Sequence, residues 1–100
     1  MILEWFNAEE AVKFGHEIAQ QVDQLFPLTP GNRQTKSTKK DQKKLDTLIV
    51  RTRAFAQQHK LNLYKKAKLL NTLKWELREG GHDEVLIDEI IVLLTPLLNQ

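Results

Sequence analysis

One hundred residues, 41% apolar and 28% charged, are expected to make one small soluble domain able to bury a core. The lack of cysteine excludes a disulfide framework and thiolate chemistry. The longest apolar stretch, 85–98, is interrupted by Asp88, Glu89, Thr95 and Pro96, which excludes a membrane span. The formal net charge of +2 hides a segregated chain. Residues 1–32 carry five acids and one base, 33–78 carry fourteen Lys or Arg and three acids, and 79–100 carry five acids and no Lys or Arg. A basic middle between acidic ends can attract an anion or fold those ends against itself.

The first element is a helix over 7–26. Asn7 and Glu10 have the spacing of a capping box, and Phe6 and Ala11 that of a hydrophobic staple. Ala11, Gly15, Ile18, Val22 and Leu25 then recur at four- and three-residue spacings. The apolar run Ile2, Leu3, Trp5 and Phe6 is expected to fold back on the core as a plug. It carries no basic stretch and does not read as a signal peptide. A cytoplasmic location is the resulting expectation.

Residues 27–37 gather Pro27, Pro30, Gly31, Asn32 and Ser37 with no apolar period, which makes a long loop between helices one and two. A second helix over 38–59 has the stripe Leu45, Leu48, Thr52, Phe55 and His59. A third, over 63–79, has Leu63, Ala67, Leu70, Leu73 and Leu77, and Gly80-Gly81 stops it. A fourth starts at the cap Asp83 and is expected to end at Thr95, because Pro96 clashes with the preceding turn. No strand pattern competes, so the fold class is all-α, a single-domain four-helix bundle. Its expected core holds Ile18, Val22, Leu45, Leu48, Phe55, Leu70, Leu73, Leu77, Ile87 and Ile90.

Chemistry is sparse. His16, His59 and His82 are scattered, without the Glu-x-x-His or His-x-x-x-His spacing that sets two ligands on one helical face. Ser37 is the only serine. The acid pairs Glu9-Glu10, Asp83-Glu84 and Asp88-Glu89 are adjacent, so the members of each point to different faces. The sequence therefore predicts neither an enzyme nor a metal or cofactor site.

Three features remain as candidate surfaces. Arg33, Lys36, Lys39, Lys40, Lys43 and Lys44 form a basic patch of the kind that contacts phosphates. It crowds a helix N-terminus, where cations are mildly unfavourable. Tyr64, Lys68, Asn71 and Trp75 share a strip of the third helix, an aromatic-basic surface able to stack bases or bind a partner. The fourth helix is apolar almost all round, so Val85, Leu86, Val92 and Leu93 are candidates for self-association. The leading expectation is a small non-catalytic protein-interaction module, a homodimer or the partner of another protein. The alternative is a nucleic-acid-binding protein using segment 33–44 with the third-helix strip. No membrane and no small-molecule substrate are expected.

Overall fold

The structure, a computed structural model, describes residues 7–26 and 39–98. Four helices account for its regular structure: α1 (Glu9–Leu25), α2 (Lys39–Gln58), α3 (Leu63–Glu79) and α4 (Glu84–Leu98). Among the described residues there is no strand, and the fold is the all-α bundle that the periodicity predicts. The apolar run at 2–6 and the 27–37 connector lie outside the described residues.

Side chains punctuate the helices. Asn7 Oδ1 accepts from the Glu9 backbone N–H at 3.2 Å, and the first helical carbonyl belongs to Ala8, which bonds Val12 N–H at 2.8 Å. Ala8 therefore takes the N-cap position, one residue later than the sequence places it, and Asn7 bonds Glu9 from just outside the helix. At the α2–α3 break, Asn62 Oδ1 accepts from Lys65 N–H at 2.8 Å, a cap that the apolar period alone does not reveal. After α3, His82 N–H reaches Leu77 O and Gly81 N–H reaches Arg78 O, both at 3.1 Å. These are the two bonds of a Schellman turn, and Gly81 supplies its left-handed residue with φ 88°. Asp83 Oδ1 then caps α4 through Val85 N–H at 2.9 Å.

One boundary differs from expectation. α4 continues through Pro96 to Leu98. Leu94 and Leu98 are both buried, so tertiary packing of the last turn outweighs the lost proline N–H bond.

The helices are not arranged in chain order. α1 packs most extensively on α3, α2 packs on α4, and α3 and α4 meet across their turn. α1 and α3 run in the same direction: Gly15 faces Leu69 and Thr72, His16 meets Glu76, and Asp23 meets His82. α2 runs against α1, with Phe55 stacked on Phe14 at 4.1 Å and Lys44 beside Phe26. Around the bundle the order is therefore α1, α3, α4, α2, and the consecutive pair α2 and α3 lies across the diagonal.

The expected core is buried at Ile18, Val22, Leu45, Leu48, Phe55, Leu73, Leu77, Ile87 and Ile90. Leu70 is a correction. Leu69 takes the central place in α3, Leu70 is only partly buried, and Leu63 is 79% exposed. The buried series is Leu69, Leu73 and Leu77, which keeps Leu73 and Leu77 of the stripe read in the sequence and sets Leu69 in the place of Leu70. Its cause is the approach of α1. A Cβ on Gly15 would stand 3.0 Å from Leu69 O and 3.1 Å from Thr72 Cβ, so only glycine lets the two backbones lie this close. His59 is a smaller departure: α2 ends one residue before it, and its ring stacks on Phe55 at 4.4 Å.

Thr52 sits at 0% exposure in the α2 stripe, and its hydroxyl meets no hydrogen-bonding group among the described residues. An unmet buried hydroxyl is costly. Thr52→Val keeps the branched shape and should raise stability by about 1 kcal/mol in denaturant unfolding. In the same assay Leu69→Ala should cost about 2–5 kcal/mol. Leu70→Ala should cost clearly less, and the reverse ranking would mean that α3 is turned the other way.

Candidate functional site

Among the open grooves of the described residues, two lie on opposite faces of the bundle, one between α1 and α3 and one between α2 and α4.

The α1–α3 groove is set by helical spacing. Tyr64, Lys68, Asn71, Trp75 and Glu79 follow one another along a single flank of α3. Val12 and His16 of α1 form the opposite wall, and Thr72 and Glu76 lie between. The cavity is about 690 Å³ and open to solvent. The structure brings together all four residues of the expected strip. Trp75 is 62% exposed, so its indole is not spent on packing. Lys68 Nζ stands 5.7 Å from the Tyr64 ring centroid, within cation–π range. His16 Nδ1 and Glu76 Oε1 form a short contact across the groove floor. Glu76 and Glu79 were missed at the sequence level. The signal for Glu79 is present, since it lies four residues beyond Trp75 on the same flank, but it was read only as the helix end.

The α2–α4 groove is smaller, about 430 Å³, and more apolar. Gln42 and Leu45 of α2 face Val85, Asp88, Glu89, Val92 and Leu93 of α4. Val85 is 51% and Val92 72% exposed, while Leu93 is half-buried. Leu86 must be removed from the candidate self-association set. It is buried in the core beside Ile87 and Ile90, because α3 and α2 cover more of α4 than its all-round apolarity implies. The outward stripe is Val85, Glu89, Val92 and Pro96, at helical spacing.

The basic patch is only partly in view. Arg33 and Lys36 lie outside the described residues. Lys39 and Lys40 open α2, with side chains outside the description. Lys43 is exposed on the first turns of α2, and Lys44 turns inward to place Nζ 5.3 Å from the Phe26 ring centroid. One member of the cluster therefore helps to seat the end of α1.

Other polar side chains join helices. Arg51 donates to Gln21 Oε1 at 2.7 Å and Glu17 Oε1 at 2.8 Å, and its guanidinium lies 5.9 Å from the Phe14 ring centroid. His82 is buried in the α3–α4 turn, with Nε2 2.6 Å from Asp23 Oδ1 of α1. These contacts place two histidines beside single carboxylates. Among the described residues no three His, Cys, Asp or Glu side chains converge as metal ligands. No helix there is long and apolar enough to cross a membrane.

Comparison of the chain with protein-family models, with curated proteins and with solved structures finds no match in any of the three. Fold and grooves are thus read from the chain's own residues.

The exposure of Trp75 has a stability consequence. Trp75→Ala should change the unfolding free energy by less than about 0.5 kcal/mol, as at other surface sites. Leu73→Ala, two residues away on the buried face, should cost about 2–5 kcal/mol. A loss of that size at Trp75 would show the indole to be a packing residue.

Proposed function

We propose that this chain is a small, non-catalytic, cytoplasmic protein-interaction module that forms a homodimer through α4. The observation that carries the reading is the outward apolar pair Val85 and Val92, which flanks the groove closed by Leu45 and Leu93. Two exposed valines, two turns apart on one helix, form the centre of a helix-to-helix seam. A second copy packing its own Val85 and Val92 there removes both pairs from water, at about 25 cal/mol per Å² of gross gain before the cost of association. A closed twofold arrangement satisfies both copies with one surface. Charge supports it: Asp88 and Glu89 line the groove, and the exposed Lys43 lies on the neighbouring α2, so a twofold partner presents opposite charge at the rim.

Nucleic-acid binding is the second reading, and the assembly of Tyr64, Lys68, Asn71 and Trp75 along one groove is what favours it. Glu76 and Glu79 share that groove and repel phosphate. The interaction module is accordingly the reading that the geometry supports best.

Sedimentation velocity at micromolar concentration should give a dimer. Val92→Glu should give a folded monomer with an unchanged helical circular-dichroism spectrum. A wild-type monomer across that range would exclude the proposal. An unfolded variant would instead assign that side of α4 to the core.

A further inference from the structure

The α1–α3 groove, on the face opposite the proposed dimer seam, has an ordered chemistry that self-association does not use. Lys68 stands beside Tyr64 at one end, Trp75 lies about 10 Å further along the helix, and Glu79 one turn beyond it. Lys68 is accompanied by the Tyr64 ring, and Glu76 is engaged by His16. Glu79 is different: it is exposed and has no ion-pair partner among the described residues. An exposed indole and an unpaired carboxylate therefore line one groove at i and i+4 of the same helix. An indole face attracts a cation by its quadrupole, and a neighbouring carboxylate attracts it by charge. A guanidinium satisfies both at once, because it stacks flat on the ring while its edge donates to the carboxylate.

We propose that the α1–α3 groove binds an arginine-bearing segment of a partner protein, with the guanidinium on Trp75 and against Glu79. Charge complementarity selects this occupant. The opposite end of the groove carries Lys68, so the segment binds in one direction, with a carboxylate about three extended residues from the arginine. The same carboxylates disfavour a polyanion, and they distinguish this groove from a base-stacking surface. The proposal is independent of dimerisation through α4, since none of the groove's residues lies in the α2–α4 seam.

The chain has two tryptophans, Trp5 and Trp75, so two indole N–H signals report in a nitrogen–proton correlation spectrum, and Trp75→Phe assigns them. The full chain is titrated with the blocked peptide Arg-Gly-Gly-Glu, with Glu-Gly-Gly-Glu, and with a short oligothymidylate. The Trp75 signal should move saturably with the arginine peptide, with a Kd on the order of 1 mM, and should not move with the acidic one. Glu79→Gln should weaken binding about two- to fivefold while the rest of the spectrum stays in place. Binding should persist in the Val92→Glu background, which separates this site from the dimer. No saturable shift with the arginine peptide, equal affinity in Glu79→Gln, or tighter binding of the oligonucleotide than of the peptide would each overturn the proposal.

Discussion

The contact on which the arrangement depends is the meeting of α1 and α3 at Gly15. With no Cβ there, the α1 backbone lies against Leu69 O and the Thr72 side chain. That closeness turns α3 so that Leu69, Leu73 and Leu77 face inward. In that orientation Tyr64, Lys68, Trp75 and Glu79 lie on the outer flank and line a groove with Val12 and His16 of α1. A larger residue at 15 would push the helices apart at the point where both are fully packed. The core and the groove are thus two results of one close approach.

Among the described residues the acidic ends and the basic middle meet through individual side-chain pairs. Arg51 ties α2 to Glu17 and Gln21 of α1, and Arg78 meets Glu84 across the α3–α4 turn at 3.1 Å. Each is an exposed pair of the kind that contributes little alone. Arg51 gains more from its place, since it also covers one face of the Phe14–Phe55 stack. His82 closes the circuit from the α3–α4 turn to Asp23 of α1. These tethers add to a helix arrangement that apolar packing sets.

Much of the fold was legible in the sequence because it rests on local rules. Apolar spacing placed all four helices, Gly80-Gly81 marked the turn, and Asp83 marked the start of α4. What was illegible depended on neighbours. Leu70 and Leu69 compete for the place next to Leu73 and Leu77, and the Gly15 contact decides between them. Pro96 obeyed local rules in the sequence and tertiary packing in the structure. The aromatic-basic strip was visible because it lies on one helix. Its acidic floor was not, because the approach of α1 brings His16 to Glu76. Leu86 and Val92 look alike as letters, and only the positions of α2 and α3 separate core from surface.

The placement of consecutive helices α2 and α3 across the diagonal also bears on how the chain reaches its native state. Only the α3–α4 hairpin brings extensively packed helices together across a short connection. The largest interface joins α1 to α3 and requires closure of a loop that spans the whole of α2. α2 in turn finds its main partner in α4, beyond α3. Two interleaved closures raise the mean sequence separation of contacts above that of a bundle wound in chain order, and such topologies fold more slowly. Loop-closure cost alone favours the α3–α4 hairpin as the first pairing to form. On that ground α1 and α2 are the costlier pairings, each needing a surface that the α3–α4 hairpin supplies.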